Sequence, residues 1–240
     1  MTSLRAAAIL AAAVVLGCAA NARAQPIQVP DTIAERTRAC TACHGKEGRA
    51  TREGYFPRIA GKPSGYLYNQ LVNFRNGRRP NASMTYLVQH LSDAYLQEIS
   101  DYFASLDLPY APPPPLNAPS EVAARGELLA LHGDAARKIP ACAQCHGETL
   151  TGVAPAMPGL LGLPRDYVIA QFGAWRTGQR KAAHPDCMAE IARRMTPEDV
   201  SAVAAWLASR PLPVSAKPAD RIALPLPLSC GSGVPQQAAR

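Results

Sequence analysis

Cys40-Thr41-Ala42-Cys43-His44 sets two thiols about one helical turn apart and follows them with an imidazole; Cys142-Ala143-Gln144-Cys145-His146 does so again. The chemistry that needs this spacing is covalent haem attachment. Two thiolates that close reach the two vinyl groups of one macrocycle, and the adjacent His gives the iron a neutral imidazole. A Cys-X-X-Cys pair alone also suits a redox dithiol or half a zinc site, but the following His and an exported context argue against both. Two covalently attached haem c groups are expected, held by Cys40, Cys43, Cys142 and Cys145, with His44 and His146 on the irons.

Thioether sulfur is a usual sixth ligand opposite His in electron-carrying haem proteins. Beyond residue 24 the chain has four candidates, Met84, Met157, Met188 and Met195. Met84 lies 40 residues after His44 and Met188 lies 42 after His146, each seven residues before the pair Leu91-Ser92 or Met195-Thr196. This placement selects Met84 and Met188 as ligands over the commoner role of Met as core filler. Met157 aligns with Phe56 and has no equivalent; Met195 aligns with Leu91 and reads as core. Cys187, beside Met188, is the alternative ligand, and a thiolate there would lower the potential. Cys187 and Cys230 are also free to form a disulfide in an oxidising compartment, pinning the tail over the second haem domain. Spacing does not show whether they meet. His90, His132 and His184 are assigned surface or packing roles.

The elements that position these residues come in two copies. The first half maps onto the second at an offset close to 101: Pro57, Gly61, Pro63, Tyr66, Gln70, Arg75 and Gly77 become Pro158, Gly162, Pro164, Tyr167, Gln171, Arg176 and Gly178. Leu67, Leu71 and Phe74 become Val168, Phe172 and Trp175, an i, i+4, i+7 apolar stripe that predicts one helix in each half, stopped at Gly77 and Gly178. Asp31 and Ser120 are expected N-caps of helices leading to each Cys-X-X-Cys-His. Ser92 starts a terminal helix carrying Leu96, Ile99, Phe103 and Leu106. Thr196, with Pro197 and Asp199, starts its partner, which carries Val200, Val203 and Leu207. Tyr102 and Trp206, equivalent on these helices, are expected to pack against the helices that open each half. No segment alternates as a strand would. The fold class is all-α, with each small domain gaining much of its core from its haem.

Arg5, the apolar run from Ala6 to Leu16 and Ala22-Arg23-Ala24 read as a signal peptide over residues 1–24, which implies export to the periplasm. Val15-Leu16-Gly17-Cys18 partly resembles a lipoprotein processing site, though Leu16 fits poorly; a lipid anchor at Cys18 is the alternative, and peripheral membrane association stays open. No later apolar stretch approaches a membrane span. Domains are expected at 25–107 and 120–210, joined by a stiff Pro-rich linker, 108–119, with four consecutive prolines. The Pro-rich tail, 211–240, either wraps the second domain or is partly disordered. Removing Arg5 and Arg23 takes the formal net charge from +7 to +5, and haem propionates lower it further. Arg75, Arg78 and Arg79, echoed by Arg176, Arg180 and Lys181, are read as propionate partners, as a steering patch, or as solvated helix ends. Nothing resembles a nucleic-acid module.

The doubled pattern, Cys-X-X-Cys-His, Pro-X-hydrophobic-X-Gly, Tyr-X-X-X-Gln with Arg-X-Gly, then a Met before a terminal helix, resembles the dihaem cytochrome c4 family over about residues 31 to 210. The resemblance implies two class I cytochrome c domains related by pseudo-twofold symmetry. It implies an electron carrier, not an enzyme, passing electrons in the periplasm from respiratory donors toward a terminal oxidase or other acceptor. By the same resemblance the Pro57 and Pro158 carbonyls accept hydrogen bonds from His44 and His146. The Pro-rich tail, Cys187 and Cys230 are departures from the pattern. Two other readings stay open: the dihaem subunit of a flavocytochrome-like dehydrogenase complex, and a dihaem peroxidase or sulfur-compound oxidoreductase, as in dihaem thiosulfate dehydrogenases.

Overall fold

The computed structural model describes residues 28–51, 53–220 and 225–233. The expected signal peptide and Cys18 lie outside them. The first half runs α1 (Ile33–Arg36), α2 (Arg38–His44), α3 (Ser64–Arg75), α4 (Ala82–Val88) and α5 (Asp93–Ser105). The second runs α6 (Ser120–Leu131), α7 (Cys142–His146), α8 (Arg165–Arg176), α9 (Cys187–Arg194) and α10 (Pro197–Ala208). The expected all-α class holds, with one small addition. Gly152–Val153 pairs antiparallel with Met157–Pro158, a ladder too short to leave an alternating pattern in the sequence.

Each half is built on the same packing. Helix α3 crosses α5 and carries α4, while α8 crosses α10 and carries α9. Leu67, Ile99 and Phe103 form one buried cluster of the first half, and Val168, Phe172, Val203 and Leu207 lie in the core of the second. The two central helices stop where expected, with Gly77 and Gly178 at φ 70° and 71°, a left-handed conformation that glycine adopts without cost. In the second half α6 and α10 lie almost backbone to backbone. A Cβ on Gly126 would stand 2.4 Å from the Ala202 carbonyl oxygen, and Trp206 packs on that bare spot.

The caps split between expectation and correction. The Ser92 side chain accepts from the Tyr95 N–H at 3.2 Å, and Thr196 and Asp199 form a reciprocal capping box. Asp31 is not the cap of α1. Thr32 is, accepting from the Glu35 N–H, while the Asp31 carboxylate is held by Arg36 instead. Ser120 is the first helical residue of α6, with Pro119 before it as the cap. In both cases the cap lies one residue from the expected one. The tail folds back on the second half, where the Ala219 N–H donates to the Gly152 carbonyl at 2.9 Å and Ala154 N–H to Ala219 at 2.7 Å.

An ion network fastens the second half. Asp199, at 5% exposure, accepts from Arg125 of α6 at 2.9 Å and from Arg137 at 2.6 Å, and both arginines also hold Asp134. Burial opposes ionisation of Asp199, but hydrogen bonds from Arg137, the Thr196 N–H and Arg125 outweigh it and hold the carboxyl well below the usual range. With its folded pKa below the unfolded one, this group stabilises the fold fully above about pH 4, and the contribution is lost as pH falls toward the folded value. Asp199→Asn is expected to cost about 2 kcal/mol in urea unfolding of the second half and to weaken its acid sensitivity. Acid titrations that superimpose for the two proteins would contradict this.

Candidate haem sites

His44 closes helix α2 and His146 closes α7. Each helix thereby presents its two thiols and its imidazole toward one side. The His44 ring Nδ1 lies 2.8 Å from the Pro57 carbonyl oxygen, and His146 Nδ1 lies 2.7 Å from that of Pro158. A carbonyl accepts only, so Nδ1 carries the proton and Nε2 is left with a free lone pair. Burial holds both imidazoles below their ordinary pKa, against the pull of those carbonyls, with the charges of Arg79 and Lys62 adding to the effect at His44 and His146 respectively. Both rings are therefore neutral at pH 7, as an iron ligand must be.

The environment of Cys40, Cys142 and Cys145 does not favour a redox dithiol. A nucleophilic Cys-X-X-Cys needs a depressed thiol. Here burial raises Cys40 and Cys145 and pushes Cys142 up to about 12. None of Cys40, Cys43, Cys142 and Cys145 is in a disulfide.

One cavity of about 990 Å³ is lined by Cys40, Cys43, His44 and Met84 from the first half and Cys142, Cys145, His146 and Met188 from the second. All eight residues singled out by sequence thus meet in it. The Met84 N–H is fixed by the Asn81 side chain at 2.9 Å, which caps α4. Asp186 caps α9 from one carboxylate oxygen and ties the Ala182 N–H with the other, which sets the first turn carrying Met188. Met157 also lines the cavity, from the strand that holds Pro158, and Met195 is buried in the core. His90, His132 and His184 are exposed and do not line it.

Cys187 is bonded to Cys230, with their Cα atoms 5.0 Å apart. This corrects the thiolate alternative, because a sulfur in a disulfide has no charge to give an iron. It also ties the tail to the first turn of α9. The Asn69 amide then donates to the Ser232 carbonyl at 3.4 Å, so the tail touches both halves.

Sequence reasoning left the arginines open among three roles, and the structure separates them. Arg75 is bound to Asp93 and the Leu91 carbonyl, while Arg176 and Lys181 are exposed. Arg79 and Arg180 point inward, between the halves. Arg79 donates to Gln70, Tyr167 and Gln171 at 2.9, 3.1 and 2.9 Å; Arg180 donates to Gln171 and Gln70 at 2.5 and 3.0 Å. Two guanidiniums lining a cavity with neutral oxygens as their hydrogen-bond partners among the described residues call for anions, and carboxylates suit their forked geometry. The propionates of a haem supply such groups, so the residues present fit that cofactor: thiols, neutral imidazoles and thioethers at the walls, apolar side chains between them, and cations for the acidic edge.

A helical fold that repeats one covalent-haem constellation twice around a shared cavity defines the class: a tandem c-type cytochrome. No family profile matches the chain. A thiosulfate dehydrogenase electron acceptor from Thiomonas intermedia is 40% identical over 173 residues, covering 72% of this chain and 79% of the relative. A cytochrome c4 from Pseudomonas aeruginosa is 33% identical over 170 residues, covering 70% and 82%. Among solved structures, thiosulfate dehydrogenase TsdBA from Marichromatium purpuratum superposes with a TM-score of 0.64 at 34% identity, over 75% of this chain and 39% of that one. The chain belongs to the dihaem cytochrome c4 family. Its cofactors are two covalently attached haem c groups, and it is an electron carrier.

Proposed function

We propose that this carrier works in the periplasm, exported by residues 1–24, and takes single electrons from a dehydrogenase of the thiosulfate-oxidising kind for delivery to a terminal oxidase or another redox protein. In this reading residues 25–107 and 120–210 are the two haem domains, joined by the linker at 108–119. His44 with Met84 and His146 with Met188 are the iron ligands, and Cys40, Cys43, Cys142 and Cys145 carry the thioether bonds. The observation that supports it best is the lining of one cavity by two equivalent sets of these residues. The similarity to proteins named as acceptors of thiosulfate dehydrogenase favours the donor class.

When bound, each haem supplies reversible one-electron chemistry at iron. The chain holds the imidazole tautomer through Pro57 and Pro158, offers sulfur that favours the reduced state, and keeps water from the apolar walls. His44 with Met84 and His146 with Met188 would hold the two irons and would leave neither open to substrate. Near-infrared magnetic circular dichroism of the oxidised protein is expected to count two Met-to-Fe(III) charge-transfer bands per chain. A single band would move the sulfur-compound oxidoreductase reading to the front. Rapid reduction by a thiosulfate-oxidising dehydrogenase is the expected partner result, and failure of any such enzyme to reduce the protein would contradict the donor class.

A further inference from the structure

The segments Pro57–Pro63 and Pro158–Pro164 match apolar with apolar and Gly with Gly, except that Arg58 stands where the second half has Gly159 and Lys62 where it has Leu163. Both cations are buried, at 5% and 4% exposure. Arg58 has a structural task. It donates to the carbonyls of Ala60, Leu108 and Pro109 and lies over the Tyr110 ring at 3.8 Å, fastening the linker to the first half.

On its own side Lys62 has a longer contact, its Nζ 5.9 Å from the centre of the Tyr110 ring. Its Nζ crosses to the other half and donates to the Gly159 carbonyl at 3.2 Å. Gly159 directly follows Pro158, whose carbonyl binds His146. A desolvated ammonium with a carbonyl as partner and no carboxylate within ion-pair distance among the described residues is unfavourable for stability alone. Burial and the neighbouring charge of Arg58 bring Lys62 down to about 8, so it remains mostly charged at pH 7. At the matching position the second half has Leu163, which carries no charge, and the cation that acts on His44 is Arg79.

We propose that Lys62, contributed by the first half, sets the reduction potential of the second haem: its positive charge beside the peptide that orients His146 favours the ferrous state there and not at the first haem. The step it biases is Fe(III) plus one electron from the redox partner giving Fe(II), with no bond broken and no proton moved. An added electron is attracted by a fixed cation, and a unit charge within about 10 Å at an effective dielectric constant of about 20 shifts such an equilibrium by about tenfold. Because Leu163 stands in the matching position, this contribution is not repeated at the first haem.

The inference rests on the His/Met haem reading above, so haem content and Met-band count in the unaltered protein are measured first; fewer than two of either would sink that reading and not this one. Lys62→Gln, which keeps a donor for the Gly159 carbonyl without the charge, and Lys62→Met are then titrated in the intact haem-loaded protein. Proton NMR of the shifted axial Met methyl groups follows each haem separately, assigned by their loss in Met188→Ala. In both variants the second haem is expected to shift about tenfold toward the oxidised state, about 59 mV for a one-electron couple, with a much smaller shift at the first. Lys62→Arg is expected to restore the parent value, with both Met bands and the thermal midpoint unchanged. A second-haem potential unmoved in Lys62→Gln would overturn the proposal, as would equal shifts at both haems. If Lys62→Met does not fold, Lys62→Gln alone decides.

Discussion

Cys142→Ala combined with Cys145→Ala is expected to leave one covalent haem per chain instead of two and a second half that no longer holds its fold. Leu129, Ile139, Phe172, Met195, Val203 and Leu207 line the shared cavity and belong to the core of that half. In the proposed reading their packing partner on the cavity side is the cofactor. Taking half of the cavity of about 990 Å³ for the second haem and about 24 cal/mol for each Å³ left empty, an uncollapsed void costs about 12 kcal/mol. That is comparable to the whole stability of a domain, about 5–15 kcal/mol, so the walls collapse or the half unfolds. The first half keeps Cys40, Cys43, His44 and its own core of Leu67, Ile99 and Phe103. Mass spectrometry and the alkaline pyridine spectrum should therefore count one haem, and limited proteolysis should cut first within 120–210. Two covalent haems retained by the variant would refute the attachment motif.

How much of this was legible depended on the range of the interaction. The stops at Gly77 and Gly178 and the caps at Ser92 and Thr196 follow from rules that act within a few residues, and the His–Pro bonds from the family resemblance; the structure has them all as expected. The cap of α1 went to Thr32 because neighbouring cap-forming residues compete and Arg36 claims Asp31, a contest that sequence does not decide. The roles of Arg75, Arg79 and Arg180 were indistinguishable in sequence. Arg75 closes α3, and Arg79 and Arg180 each lie four residues beyond the end of α3 or α8; the way the two halves meet turns Arg79 and Arg180 inward while Asp93 holds Arg75. Cys187 with Cys230, and Lys62 with Gly159, are contacts between segments far apart in the chain. For Lys62 there was a usable signal, a break in the repeat opposite Leu163, and it lay in a segment read only for its Pro and Gly positions.

Met84→Ala and Met188→Ala are each expected to remove one of two Met charge-transfer bands and to lower one potential, with both haems still attached. Thioether sulfur stabilises ferrous iron, and alanine leaves either water or a nearby side chain in its place. A loss of about a hundredfold in the reduction equilibrium, about 120 mV, is the least expected for the affected haem. The two variants should not be alike in what takes over. Near Met188 the first turn of α9 is held by Asp186 and by the disulfide to Cys230, so the vacated position stays open and water or an added ligand such as cyanide should bind quickly. Met84 sits on α4, which carries no disulfide and whose Asn81 cap bonds the Met84 backbone itself. Alanine keeps that bond, but α4 has more freedom to move inward and shield the iron, so added ligand should bind more slowly there. Band counts, potentials and cyanide rates in the two variants test this together. If Met188→Ala kept both Met bands, another sulfur would have to be the ligand, and Met157, which lines the same cavity from the strand holding Pro158, would be the residue to replace next.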